Sequence, residues 1–267
     1  MKRQLIQCLI ILFLSAGTLS AFEGLLFKPL TANTYEPRVG CLFNSKDDKL
    51  RLDIGTSIDL IAINSTKSHP IRVGADFFTF TRLRSEGKMK FPVETSDYFF
   101  GVNVTGKTYL FEKPLFLRVR AAHISSHLVD GLAKDSVFTR MPFVYSREFI
   151  DFVGALELKP VRIYAGLNYV FSTKPKDISP VIPQAGFDFE QKFNPWLSLI
   201  GGYDFKLLGI ESVYTAVHTG QLGLFFKTDD YLGVLLNFNA IKGKSIHGMF
   251  YNSEETYFGF GFQLYFY

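Results

Sequence analysis

Between residues 38 and 267 the chain alternates apolar and polar side chains with a period of two. The clearest case has Leu50, Leu52, Ile54, Thr56, Ile58 and Leu60 in one row and Arg51, Asp53, Gly55, Ser57 and Asp59 in the other. Residues two apart share a face of a β-strand, so this stretch predicts a strand with one greasy face and one face charged in both signs. The same alternation returns over residues 71–77, 98–105, 115–122, 161–171, 185–190, 197–206, 232–238 and 257–267. Weaker alternation at 38–44, 143–158 and 216–226 brings the expected strands to twelve. No stretch after the first twenty residues is apolar over the length a transmembrane helix needs.

The last strand shows which face looks where. Phe258, Phe260, Phe262, Leu264 and Phe266 share one parity, and Tyr257, Gly259, Gly261 and Gln263 share the other. A row of phenylalanines backed by glycine and glutamine inverts a soluble protein, with grease outside and small polar groups inside. On a lipid face each Arg or Lys costs about 2–4 kcal/mol near the midplane, so the charged parity belongs to the interior. The fold class expected is all-β: a single antiparallel transmembrane β-barrel of about twelve strands, an even number as such barrels require. A soluble or periplasmic β-barrel that binds a ligand is the competing architecture. The strand also resembles the C-terminal strand of bacterial outer-membrane barrels, which ends on an aromatic residue as Tyr267 does. Gln263 departs from that pattern, at a position where those barrels carry a lipid-facing apolar residue. The resemblance implies the bacterial outer membrane as location, its lipids as surroundings, and delivery to the barrel assembly machinery through this strand.

The connections add a second pattern. With the first strand running outward, inner turns are expected at 64–70, 106–114, 159–160, 192–195 and 227–230. Outer loops are expected at 44–49, 81–96, 128–142, 172–183, 207–215 and 240–256, all but the first long. Short turns on one side and long loops on the other are the habit of membrane barrels.

The first residues read as a targeting segment. Lys2 and Arg3 precede an apolar run of about ten residues, too short to cross a bilayer as a helix, and Leu19-Ser20-Ala21 offers small residues for cleavage. Residues 1–21 are therefore expected to be a signal peptide and 22–267 one barrel domain. Removing it takes two of the 29 basic residues, leaving 27 against 25 acidic ones. A balance of +2 gives no ground for nucleic-acid binding. Cys8 leaves as well, so Cys41 is the one remaining thiol; no intramolecular disulfide and no cysteine-ligated zinc site follow.

One constellation carries candidate chemistry. The strand through Val119 continues into His123-Ile124-Ser125-Ser126-His127, and parity puts His123, Ser125 and His127 on the side of Leu115, Leu117 and Val119. A serine and a histidine two apart on a strand point the same way, as a general base and its nucleophile must. Polar residues near a strand end also meet lipid headgroups at small cost, so an interfacial boundary reads the same way, and paired binding by His123 and His127 is a third option. The triplet resembles the His-x-Ser-Asn motif that outer-membrane phospholipase A and the lipid A 3-O-deacylase carry on the barrel's outer surface. His123 and Ser125 match it and Ser126 departs. The resemblance implies a lipid esterase with Ser125 as nucleophile and His123 as base. The third member implied by the phospholipase stands at Ser146, in Tyr145-Ser146-Arg147-Glu148; the deacylase implies a glutamate, hence Glu148, with Asp130 second. Calcium and a dimer are implied by the phospholipase resemblance alone, and no cofactor is otherwise expected. The combination of His-x-Ser-Ser-His with Tyr-Ser-Arg-Glu also resembles a bacterial family of unassigned function. Inside the barrel, Arg118, Arg120, Arg72 and Arg162 form either an anion-selecting stripe in a narrow pore or a filling paired with Asp53, Asp76, Asp151 and Asp188. His69, His218 and His247 read as turn or loop residues.

Overall fold

A β-sheet in hydrocarbon has no water to satisfy its outermost strands, so it must close on itself. The computed structural model, which describes residues 24–64, 66–228 and 232–266, closes in this way. The expected leader at 1–21, Tyr267 and part of the turn expected at 227–230 lie outside the described residues. Twelve strands form the wall: β1 (Val39–Asn44), β2 (Lys49–Asn64), β3 (Ile71–Arg84), β4 (Val93–Leu110), β5 (Lys113–Leu128), β6 (Tyr145–Leu158), β7 (Val161–Lys174), β8 (Val181–Asn194), β9 (Leu197–Ile210), β10 (Val213–Lys227), β11 (Leu232–Lys244) and β12 (Glu254–Phe266). Each pairs antiparallel with its chain neighbours, and β1 pairs with β12 to seal the barrel, Cys41 opposite Phe262 and Phe43 opposite Phe260. A two-residue hairpin, Ala133–Lys134 with Val137–Phe138, decorates the loop after β5.

The parity rule holds around the wall. Ile54, Phe77, Phe100, Val119, Phe152, Leu167, Phe187, Leu224, Phe238 and Phe260 are exposed, while Arg51, Asp53, Asp76, Arg118, Arg120, Asp151, Asp188 and Asp204 are buried. Gln263 is buried and exchanges hydrogen bonds with Gln221 in the lumen. This is the inward parity expected for it, and the departure from the C-terminal pattern of outer-membrane barrels stands: the outward row is 258, 260, 262, 264 and 266.

Three expected boundaries also shift. The connections at 106–114 and 207–215 shrink to Phe111-Glu112 and Glu211-Ser212, so the second is a tight hairpin and not a long loop. All four residues have positive φ, between 49° and 64°, the backbone of a two-residue turn whose twist matches its strands. Such turns favour Asn or Gly, and neither is present here. The loop expected at 81–96 narrows to 85–92 as β3 and β4 lengthen.

The lumen is filled from both ends. Residues 24–38 run inside the barrel, with Phe27, Leu30, Ala32, Asn33, Thr34 and Glu36 buried. Their backbone is held by side chains of the wall: Leu26 N–H donates to Asp59, Thr31 N–H to Asp188, and Arg162 donates to the carbonyls of Lys28 and Pro29. At the loop-bearing end, residues 245–253 fold inward and place Met249, Phe250 and Tyr251 among Phe78, Phe80, Phe99, Ile124 and Phe149.

Phe260→Arg tests which side meets lipid. In vesicles it is expected to lower unfolding stability by about 2–4 kcal/mol, measured by urea titration; a soluble barrel, where this exposed phenylalanine meets water, would tolerate the change.

Candidate active site on the outer face

The pleat of β5 turns His123 and Ser125 outward and Ala122, Ile124 and Ser126 inward. Across the ladder, β6 places Glu148 opposite His123 and Ser146 opposite Ser125. On the next strand Ser172 stands opposite Glu148 and Lys174 opposite Ser146. These six side chains thus share one outer patch at the loop-bearing end. Ser125 lies three residues from the end of β5, a depth of about 10 Å along the strand.

The patch contains one formed pair. His123 Nδ1 lies 2.9 Å from Glu148 Oε1, with the histidine side chain 41% and the glutamate 28% exposed. Ser146 and Ser172 stand beside the same carboxylate. With Nδ1 engaged, Nε2 is the ring nitrogen free to take a proton, the division of labour a hydroxyl nucleophile needs. Among the described residues Ser125 makes no side-chain hydrogen bond, so its hydroxyl is uncommitted. Asp130 sits in the short turn Asp130–Leu132 beyond the strand, exposed and away from His123; of the two acids considered, the structure brings Glu148 to the histidine. His127 shares the face but packs edge-on against Tyr98, ring centroids 6.0 Å apart, and does not join His123.

Comparison with known proteins extends this picture. A family model described as "Protein of unknown function (DUF1207)" matches residues 93–267, which include all four candidate residues. The chain belongs to the DUF1207 family. No curated protein matches its sequence. Among solved structures, this DUF1207 barrel is similar to the calcium-bound outer membrane phospholipase dimer of Salmonella typhi, at 14% identity and a TM-score of 0.57 over 91% of this chain and 94% of that one. It is also similar to outer membrane phospholipase A of Escherichia coli, at 12% identity and a TM-score of 0.57 over 90% and 99% of the two chains. At such identities the likeness is one of fold: an outer-membrane type of barrel.

The interior of the DUF1207 barrel is a network of ion pairs. Arg118 donates to both carboxylate oxygens of Glu36, at 2.8 and 2.6 Å, and Arg120 lies 2.9 Å from Asp151. Arg162 pairs with Asp188, and Arg51 with Asp53 at 2.7 Å. Arg72 pairs with Asp59 at 3.1 Å, whereas Asp76 takes hydrogen bonds from Ser57 and Asn103. Among the cations, Arg118, Arg120, Arg72 and Arg162 thus join a filling rather than line an open stripe.

Three features escape a reading by pattern. Glu36 precedes the first strand, in a segment with no periodicity. His247 is buried in the lumen with Nδ1 2.7 Å from Asp97, and nothing in the sequence links residues 150 apart. His218 is not in a turn: it lies within β10 on the outer face, its Nδ1 2.6 Å from the Tyr203 hydroxyl. The inward row of β10, Val217, Thr219 and Gln221, mixes apolar and polar residues, so the sequence does not show its parity.

Burial alone would raise the Glu36 carboxyl, but Arg118 and Arg120 bring it from its ordinary 4.5 down to about 2. The unfolded chain therefore takes the proton first as pH falls. The stabilisation from Glu36 is complete above about pH 4.5 and is lost progressively as pH drops toward 2. Glu36→Gln is expected to cost about 3–5 kcal/mol at neutral pH. Its difference from wild type in urea midpoint should shrink below about pH 4.5.

Proposed function

We propose that this protein is a lipid acyl hydrolase of the outer membrane, with Ser125 as nucleophile, His123 as general base and Glu148 as the group that orients the histidine. The observation that carries the reading is the His123–Glu148 pair on the lipid-facing side of the wall, with a free serine two residues along the same strand. A buried lumen supports this role over that of a narrow pore, because plug and ion pairs occupy the path an ion would take. The placement also favours a substrate that resides in the bilayer, since an ester near the headgroups meets this face without leaving the membrane.

The chemistry follows from the roles. Ser125 Oγ attacks the ester carbonyl while His123 Nε2 takes its proton. Glu148 holds the Nδ1–H and favours the imidazolium that forms. The proton passes to the departing alcohol, leaving the acyl group on Ser125. Water, deprotonated by the same nitrogen, then releases the fatty acid and restores the serine. Among the described residues no group of three or more His, Cys, Asp or Glu side chains could hold a metal, and Glu148 is already committed to His123. The calcium implied by the phospholipase resemblance therefore finds no carboxylate set among the described residues, and no step here depends on it.

Lys174 suggests what the site holds. It is exposed, on the outer row, two strands from Ser125 and level with it, a lateral distance of about 10 Å. Its ammonium can reach back over Ser146 to meet a phosphate while the ester lies over Ser125. The substrate class is then a phosphate-bearing acyl lipid.

The test is fatty-acid release from phospholipid micelles and from lipid A by the purified full-length barrel. Ser125→Ala and His123→Ala are each expected to lower the rate at least about 100-fold. Equal release by wild type and Ser125→Ala would sink the hydrolase reading and leave a structural role. In the same assay Lys174→Ala should raise KM about fivefold with kcat little changed, matching the roughly 1 kcal/mol of an exposed charge pair.

A further inference from the structure

Arg147 is the outlier in the charged interior. It lies on β6, its side chain is 4% exposed, and it faces the lumen. Unlike the other cations around it, it has no carboxylate partner among the described residues. Arg120 has Asp151, Lys206 has Asp204, and Lys244 has Glu254. The Asp97 carboxylate is taken up by His247 Nδ1 at 2.7 Å and the Gly248 N–H at 2.8 Å. What Arg147 does have is two aromatic faces, Tyr35 at 5.0 Å and Phe149 at 5.4 Å. Such contacts contribute too little to offset a buried, unmatched charge.

A cavity of about 40 Å³ adjoins it, walled by Arg147, Arg120, Tyr35, Phe149, Asn168 and Lys206 among others, and by one carboxylate, Asp151, which is already paired with Arg120 at 2.9 Å. Room for one water is about 10–15 Å³ on this measure, so the space is large enough for an ion of chloride size. The donors beside it are unmet: Arg147 Nε, and Arg120 Nε and Nη1, are buried with no hydrogen-bond partner. Asn168 Oδ1 is unmet as well, and turning that amide over presents Nδ2 as a further donor.

We infer that this cavity is a binding site for one small monovalent anion, held between the guanidinium groups of Arg147 and Arg120. Water alone would satisfy the donors and leave the charge unmatched. A single negative charge removes both deficits, whereas a dianion would replace an excess of one sign by an excess of the other. Halide is the simplest ion of that class, and the aromatic and aliphatic lining suits its weak hydration better than that of a strongly hydrated anion.

The experiment uses the full-length protein refolded in detergent. Its unfolding temperature is followed as sodium chloride or bromide replaces sodium gluconate at constant ionic strength. Ligand that binds only the folded state raises stability in proportion to the logarithm of occupancy. Wild type should therefore show a rise that grows with halide in the manner of a single site. Arg147→Met should lose that rise, and Arg147→Lys should keep part of it. The same halide response in wild type and Arg147→Met, or no response in either, would overturn the proposal. Should Arg147→Met fail to fold, bromide-soaked crystals of wild type decide: an anomalous peak beside Arg147 is expected, and water density alone would refute the site. None of these readouts involves Ser125, so they stand apart from the hydrolase test.

Discussion

Closure of the backbone ladder is the constraint on which the rest of this structure depends. In hydrocarbon an unpaired amide costs several kcal/mol, so every strand must find two neighbours. The chain meets this with eleven strands of at least thirteen residues and one, β1, of six. That short strand carries both seams, with β2 on one side and β12 on the other. Once the ring is closed, the period of two does the sorting: one parity must be compatible with lipid and the other must fill a space too narrow to be left empty.

Filling that space with charge creates its own requirement. A buried arginine is tolerated when a carboxylate faces it, and the wall alone does not supply enough of them at Arg118 and Arg120. Glu36 comes from outside the sheet to complete the set. The segment before β1 is thus part of the electrostatic balance of the barrel and not simply a lead-in. Where the balance is incomplete, at Arg147, the structure leaves a cavity.

The fold was legible because lipid makes the pattern unambiguous: a charged row opposite a phenylalanine row admits few other interpretations. All twelve strands can be found this way, and so can the outward direction of His123 and Ser125. Strand ends were less legible. Phe111-Glu112 and Glu211-Ser212 turn with positive φ but without glycine or asparagine, so no residue type marks them. The candidate site was half visible. The His-x-Ser spacing shows in one strand, whereas the choice of Glu148 over Asp130 depends on register between strands, which the sequence of one strand does not contain. Arg72 pairing with Asp59, and His247 with Asp97, are contacts of the closed ring and have no local signature.

The position of Glu36 along the chain has a mechanical consequence. It lies three residues before Val39, the first residue of the shortest strand. So short a tether joins the seam to the plug: the residue that completes the interior charge balance and the strand that closes the ring on β12 are neighbours in one stretch of chain, and a displacement of that stave is passed directly to the ion pairs inside.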